Sequence, residues 1–456
     1  MEYETWSEVV GANMAYTPFE KSLDESLSEE DLQVLITNAV AEGYYIEYKR
    51  QMLEPKKIGK SIAAFANTYG GWHIVGVHTD AHNVATQVNG FSLADCRDPI
   101  ATLRDSIRQH INPVPVFYPQ VVSLRTGTVV LVVYVPGEQD TPFITSDGRV
   151  YRRVSDRSDP MYENDRYALD RLVEQGRKHM DRFARFCRDP RTFAPSGEEK
   201  SWVNVFLSPY PSGLIEKWDI LSMAGLEKLL QRSRESLDLF PTAGKKALGA
   251  GNIPFDIAQV TSQSVILRQV TPSRATFNSL AIELFVDGRA RFFLPLSKKN
   301  IFEAGFISNA LQSKKAKEAL QRLLQDPSGT VYPLEYAHFF DISPLWTSIL
   351  VLLNFYLDWL GNDRLLATEV RTALRCSGVW RTIPFVDKDE WGDYIEKFGL
   401  PVMLTDEMTV PETLEQGRIV PLEDAESSLW VALLLMVGMV FGLPGELLVP
   451  LITTLL

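Results

Sequence analysis

The sequence predicts an α+β protein. Three observations carry that expectation. Helical and strand periodicities alternate through the first third of the chain, four strand-like runs follow between 201 and 300, and the last third reads mainly helical. A chain of 456 residues is long for one hydrophobic core, so several domains are expected. The expected division is a loosely structured lead-in over 1–28, a mixed α/β domain over 29–165, and a basic helix with a linker over 166–200. A second mixed α/β domain over 201–300 and a mainly helical region over 301–456 follow.

The elements justify this in order. Ser28 can cap a helix whose apolar stripe is Leu32, Leu35, Ile36 and Val40, with Gly43 as its stop. "YYIEYKR" reads as a strand, with Tyr45, Glu47 and Lys49 on one face and Tyr44, Ile46 and Tyr48 on the other. "KKIGKSIAAFANT" is a helix with Ile58, Ile62, Ala63, Phe65 and Ala66 inward. "YGGWHIVGV" turns through two glycines into a buried strand. "DPIATLRDSIRQHI" is an amphipathic helix ended by Asn112 and Pro113. A hairpin then turns at Thr126-Gly127, and "GRVYRRVSDRS" is a last short strand.

The helix that follows is basic: between 171 and 191, Arg171, Arg177, Lys178, Arg182, Arg185, Arg188 and Arg191 face three acids. "DPRTFAPSGEEK", 189–200, is a linker. Strands are expected at "SWVNVFLS", "QSVILRQV", "LAIELFVDG" and "RARFFLPL". The apolar run Leu429 to Leu443 is shorter than the roughly 20 residues that span a bilayer. It is expected to be a core helix ended by Pro444 and packed on "SPLWTSILVLLNFYLDWL", rather than a membrane segment. If exposed, the apolar C-terminal region would serve a protein partner or a homo-oligomer.

A net charge of −12 excludes indiscriminate coating of nucleic acid, so any such site must be a local basic patch. The three cysteines Cys96, Cys187 and Cys376 offer no disulfide framework or zinc spacing, and the N-terminus lacks a signal-peptide pattern. A cytoplasmic location is expected.

The chemistry concentrates in "EGYYIEYKR". Five residues apart on one strand, Glu42 and Glu47 would face opposite ways. If Glu42 ends the helix and Gly43 turns the chain, the two carboxylates and Lys49 can converge as a divalent-metal site. The plainer alternative is a solvated strand in which Glu47 pairs with Lys49 or Arg50. Lys49, Arg50, Lys56, Lys57, Lys60, Arg149, Arg152, Arg153 and Arg157 form either a phosphate-binding track or ordinary solvated faces with pairs such as Glu174–Lys178. No Walker-type "GK[ST]" loop is present.

The order "E-x4-E-x-K", then "AFANTYGGWHIVGV", then "VYRRVSD" resembles the Schlafen AlbA-2 domain, also called divergent AAA-4, over about 29–160. Glu42, Glu47 and Lys49 match its first block, and Ala64 to Thr68, Gly70, Gly71, Gly76 and Val77 its second. Tyr151 and Arg153 match its closing "Y-x-R". The resemblance implies a metal-dependent endoribonuclease acting on structured RNA such as tRNA, in a prokaryotic defence or stress role. It implies Mg²⁺ or Mn²⁺ held by Glu42, Glu47 and Asp80, with Lys49 completing the catalytic set. Beside it, the clustering of Lys56, Lys57, Lys60, Arg149, Arg152 and Arg153 in sequence, with Tyr151, makes these the expected nucleic-acid contacts. The chain departs from the family's nucleases after the "G-V" strand, where His78 comes first and the acid, Asp80, two residues later. Either Asp80 completes the set, or His78 replaces it, or the site only binds. His73 is expected to be packed inside. The alternative function is a non-catalytic regulator binding RNA, DNA or a nucleotide.

Overall fold

The structure is a computed structural model. It describes residues 16–19, 21, 26–137, 139–154, 157–188, 201–211, 214–238, 255, 257–268, 280–296, 298–300, 311–325, 337–367, 369–412, 417–421 and 425–453. The architecture is mixed α and β, as the sequence predicts. The chain divides into two units. One comprises Met1–Arg182, Pro211–Ile215 and Leu365–Thr368. The other comprises Phe183–Tyr210, Glu216–Arg364 and Glu369–Leu456.

The first unit runs α1 (Glu29–Thr37), β1 (Ile46–Lys49), α2 (Pro55–Ala66), β2 (Gly70–Val75), β3 (Val77–Thr79), β4 (Ala85–Val88), α3 (Pro99–His110), β5 (Ile111–Asn112), β6 (Tyr118–Ser123), β7 (Val129–Pro136), β8 (Ile144–Thr145), β9 (Tyr151–Val154) and β10 (Arg157–Tyr162). The helix α4 (Arg166–Arg188) follows. Its sheet has the order β1-β2-β7-β6, with β1 at one edge. β1 lies parallel to β2, Glu47 beside His73, and α2 is the crossover between them.

Both faces of this sheet are covered. On one, Ile58, Ile62 and Phe65 of α2 and Leu103 and Ile107 of α3 pack on Val75, Leu131, Val133 and Val135. On the other, Leu32 and Leu35 of α1, with Phe19, cover Ile46, Tyr48, Trp72, Ile74, Val130 and Val132. Each such large side chain contributes roughly 1.5–3 kcal/mol on burial. The strand β7 is therefore buried along its whole length.

Ser28 caps α1 in a reciprocal box with Asp31. The helix ends sooner than expected. Asn38 is its C-cap and Ala39, at φ 47°, makes the left-handed step assigned to Gly43. Gly43 instead donates its N–H to the Ile46 carbonyl in a local turn. The lead-in is also not wholly loose, since Phe19 is buried against Trp72; residues 1–15 lie outside the described residues. Gly71, at φ 145°, has no room for a side chain: a Cβ there would stand 2.5 Å from the Tyr45 carbonyl oxygen and 2.7 Å from the Phe65 ring.

In the second unit the chain continues through β11 (Trp202–Tyr210), α5 (Met223–Asp238), β12 (Ile257–Val260), β13 (Ser264–Arg268), β14 (Ala281–Phe285), β15 (Ala290–Pro295), β16 (Lys299–Asn300), α6 (Lys314–Gln325), β17 (His338–Asp341), α7 (Ile342–Leu360), β18 (Glu369–Ser377), β19 (Thr382–Phe385), α8 (Asp389–Phe398), β20 (Glu407–Val410), β21 (Arg418–Pro421), α9 (Ala425–Val440) and α10 (Gly445–Thr453). The expected boundary at 300 does not separate two folds. β18, β20 and β21 complete the sheet of β11 to β15, whose order is β12-β13-β14-β15-β11-β18-β20, with β21 on β18. The region over 301–456 is mixed because segments such as "EVRTALRCS", which sets Val370, Thr372, Leu374 and Cys376 on one face, are strands of this sheet. The linker 189–200 lies outside the described residues.

α9 packs on α7, as expected, with Leu429, Leu433, Leu434, Val437 and Val440 buried. It ends at Val440, before Pro444, in a turn where Gly442 has φ 71°. Among the described residues no helix is long and apolar enough to cross a membrane.

Candidate functional site

Glu42, Glu47 and Lys49 do meet, around the lysine. Lys49 Nζ lies 2.9 Å from Glu47 Oε1 and 4.0 Å from Glu42 Oε1. The reason is the early end of α1: the connection through Ala39 and Gly43 brings Glu42 back so that its Oε1 accepts the Tyr48 N–H at 2.7 Å. The carboxylate of Glu42 thus clamps the strand it precedes.

Glu47 is wholly buried, on the β1 face opposite the packed Ile46 and Tyr48, under α2. Its Oε1 also accepts from Ser61 Oγ of α2 at 2.9 Å, and its Oε2 from Arg153 Nη1 of β9 at 2.8 Å. The Arg153 side chain is fully buried as well. It lies over the Phe65 ring, 4.9 Å from the centroid. Its Nη2 donates to the carbonyls of Gly43 (2.6 Å) and Ile46 (3.2 Å). One guanidinium therefore ties β9, β1 and the loop before β1 together.

The "FANT" residues dock β9 beneath this tie. Asn67 bridges both ways to Phe143, accepting its N–H and donating to its carbonyl at 2.8 Å, and donates to the Tyr151 carbonyl at 3.1 Å. Thr68 Oγ accepts the Arg153 N–H at 3.0 Å.

Electrostatics follow from this packing. Burial alone would raise the Glu47 carboxyl, but His73, Lys49 and Arg153 reverse the sign and hold it below the ordinary range. Burial pushes His73 down to about 4, so at neutral pH the imidazole is uncharged and the two cations carry the effect. His73 is packed, as expected, and its Nδ1 has no hydrogen-bond partner among the described residues. Glu42 goes the other way, raised chiefly by burial.

The third acid does not join them. Asp80 is exposed and folded onto its own turn, accepting the N–H groups of His82 (2.8 Å) and Val84 (3.0 Å) through Oδ1. That turn touches the Glu42 backbone, since Glu42 N–H donates to the Asn83 carbonyl. The Asp80 carboxylate, however, is committed locally. Among the described residues no group of three His, Cys, Asp or Glu side chains is arranged to hold a metal ion. A divalent ion beside Glu47 would displace Lys49 or Arg153, or stand against both, so the residues present do not fit the Mg²⁺ or Mn²⁺ set implied by the family. His78 on β3 is half-buried and its carbonyl accepts from Thr86.

The expected nucleic-acid residues divide. Lys56, Lys57 and Arg149 are exposed, with Lys57 3.6 Å from Glu54 and Arg149 over the Tyr162 ring. Lys60 is half-buried over Tyr151, and Arg152 pairs with Glu163 at 3.0 Å. Arg153 is corrected outright: with its side chain sealed against Glu47 it cannot touch a ligand. Tyr151 is buried too, its hydroxyl donating to Asp147 at 2.9 Å. On α4, Lys178 pairs with Glu174 at 3.3 Å, and Arg171, Arg177, Arg182, Arg185 and Arg188 are exposed. Arg191 lies outside the described residues.

Sequence reasoning missed three things. Ser61 sits on the buried stripe of α2, between Ile58 and Phe65, and a lone hydroxyl there was the available signal. The pairing of Glu47 with Arg153 had none, being 106 residues apart. The tyrosines Tyr16, Tyr44, Tyr45 and Tyr69 gather into one exposed cluster.

Residues 42–162 match the Schlafen, AlbA_2 family. No curated protein matches the chain. Among solved structures, the DIP2311 protein from Corynebacterium diphtheriae shares 15% identity, with 46% of this chain covering 38% of that one at a TM-score of 0.20, a likeness too slight to carry any argument. The matched segment holds thirteen Lys and Arg against twelve Asp and Glu, in a chain whose net charge is −12. The match to the Schlafen, AlbA_2 family is thus confined to residues 42–162, in the N-terminal part of the chain.

Proposed function

We propose that the first unit binds nucleic acid without a metal ion, as the anchoring module of a larger protein. The observation that supports this is a division of charge. The carboxylate best placed for chemistry, Glu47, is consumed by Arg153, Lys49 and Ser61, while Lys56, Lys57 and Arg149 are left at the surface. Cations at the surface are within reach of phosphate oxygens, and such contacts supply sequence-independent affinity. RNA is the ligand we favour, tRNA included.

The metal-assisted endoribonuclease implied by the family keeps one observation in its favour: Glu42 and Glu47 share Lys49. It lacks a third carboxylate beside them among the described residues.

One experiment separates the two. Fluorescence anisotropy of labelled total tRNA is measured in Mn²⁺ and in EDTA, and the same samples are run on a denaturing gel. Equal binding in both, with intact RNA, is expected. Absence of binding would overturn the proposal, and cleavage confined to Mn²⁺ would replace it with the nuclease.

A further inference from the structure

Four tyrosines from three separate parts of the first unit converge at the end of its sheet where the parallel strands β1 and β2 begin. Tyr16 and Tyr45 stack with centroids 5.0 Å apart and planes 27° apart. Tyr69 stands 6.1 Å from Tyr45 and 5.8 Å from Tyr44. These are not core rings: Tyr16 is 42% exposed, Tyr45 37% and Tyr69 63%. Large aromatic surface left in water is unfavourable unless a ligand covers it.

The cluster is also anchored from below. Trp72 Nε1 donates to the Tyr16 carbonyl at 2.8 Å, and the Trp72 N–H donates to the Tyr45 carbonyl at 2.7 Å. Arg153 grips the carbonyls of Gly43 and Ile46, which bracket Tyr44 and Tyr45. Tyr69 follows Thr68, itself bonded to the Arg153 N–H. The buried Glu47–Arg153 pair therefore fixes the backbone from which at least three of the rings project.

We infer that Tyr16, Tyr44, Tyr45 and Tyr69 form a stacking ledge for unpaired nucleobases. The inference rests on the nucleic-acid reading above and adds that the ligand is single-stranded where it meets this edge. Every base has a π face, so a pre-ordered ring array binds single strands with little sequence preference. A duplex hides those faces. The surroundings favour this occupant over an apolar protein segment. Arg50, at the far end of β1 from the rings, is exposed. On the same unit Arg149 lies over the exposed Tyr162 ring.

The test uses the full chain and three labelled probes of one length: a single-stranded RNA, the same strand in duplex, and an abasic strand. Anisotropy is read for the wild type, Tyr45→Ala, Tyr69→Ala and Tyr69→Phe. Because both side chains are exposed, the variants should fold, which a thermal melt checks. Each alanine is expected to weaken single-strand binding by roughly tenfold or more and to leave duplex and abasic binding unchanged. Tyr69→Phe should bind as the wild type does. Single-strand affinity that ignores both alanines, while the chain still binds nucleic acid, would overturn the ledge alone and point to a protein partner for these rings. No binding of any probe would overturn the ledge together with the nucleic-acid reading.

Discussion

Each unit of the molecule contains a buried glutamate–arginine pair, and the two share most of their parts. Glu47 faces Arg153 at 2.8 Å, and Glu283 faces Arg291 at 3.6 Å. A serine hydroxyl donates to each carboxylate, Ser61 at 2.9 Å and Ser264 at 2.7 Å. A phenylalanine ring underlies each guanidinium at 4.9 Å, Phe65 in one case and Phe186 in the other. They differ in where the arginine's remaining donors go. Glu283 and Arg291 are direct neighbours on β14 and β15, inside the sheet, and Arg291 ends on the Phe186 carbonyl. Arg153 reaches out of its strand to the loop before an edge strand, and its carboxylate partner also holds the part-exposed Lys49. The same chemistry is an internal tie in one unit and a support for a surface in the other. A buried ion pair is therefore no sign of a site by itself; what it positions decides.

The largest expected effect tests the likeness of the two pairs. Arg153→Ala and Arg291→Ala each remove the arginine from a buried ion pair, while Lys49 and Ser61 still face Glu47 and Ser264 still faces Glu283; each should cost about 3–5 kcal/mol. Hydrogen exchange should place the loosening in β1 and β9 for the first and in β13 to β15 for the second. A cost under about 1 kcal/mol for either would show that its pair is not a tie.

Lys49 sharpens the contrast, because it adds a part-exposed cation to the buried Glu47–Arg153 pair. Lys49→Met leaves Glu47 with Arg153 and Ser61, and should cost about 1.5–3 kcal/mol, as for one hydrogen bond to a charged group. Urea unfolding beside Arg153→Ala gives the ranking. A Lys49→Met loss as large as that of Arg153→Ala would make the lysine, not the arginine, the principal partner.

His73 gives the site a pH dependence. Its folded pKa is depressed from 6.5 to about 4, so between those values the unfolded chain binds a proton that the fold refuses. Stability is full above pH 6.5 and falls as pH drops towards 4. Glu47, with its pKa lowered, adds a loss below its ordinary 4.5, and Glu42, raised, opposes it. The comparison of variants is the clean readout. From pH 7 to 5, His73→Gln should remove about 2 kcal/mol of the wild-type loss. Parallel profiles would mean that His73 takes up a proton as readily in the fold as outside it.

The smallest effect concerns the surface cations. Lys56→Glu with Lys57→Glu should lower the log–log salt slope of RNA binding by roughly 0.7 per lost phosphate contact without changing the urea midpoint. An unchanged slope would return both lysines to ordinary solvated surface.

Much of this was legible in the sequence, for local reasons. The Ser28 cap, the glycines after "FANT", the Thr126-Gly127 hairpin and the amphipathic α2 and α3 each depend on neighbours within a few residues. The meeting of Glu42, Glu47 and Lys49 was legible in outcome but not in route: Ala39, not Gly43, makes the left-handed turn. Asp80 was misjudged by weighing its distance from the "G-V" strand above its context. In "DAHN" an aspartate followed by Asn83 is a turn former, and its carboxylate caps that turn. Arg153 was assigned to the surface because a cation without a visible partner defaults there, and nothing local announces a carboxylate 106 residues back. In the last third the short strand β19 is buried along its whole length, which hides the alternation that marks a strand.

Lys49 and Arg153 hold Glu47, and the central proposal is that it needs no metal ion beside them. Mn²⁺ titration followed by the electron paramagnetic resonance signal of the free ion tests it directly, on the full chain and on Glu47→Gln, with circular dichroism confirming that both are folded. The account predicts superimposable titrations. One tightly bound Mn²⁺ in the wild type that disappears in the folded Glu47→Gln variant would contradict it.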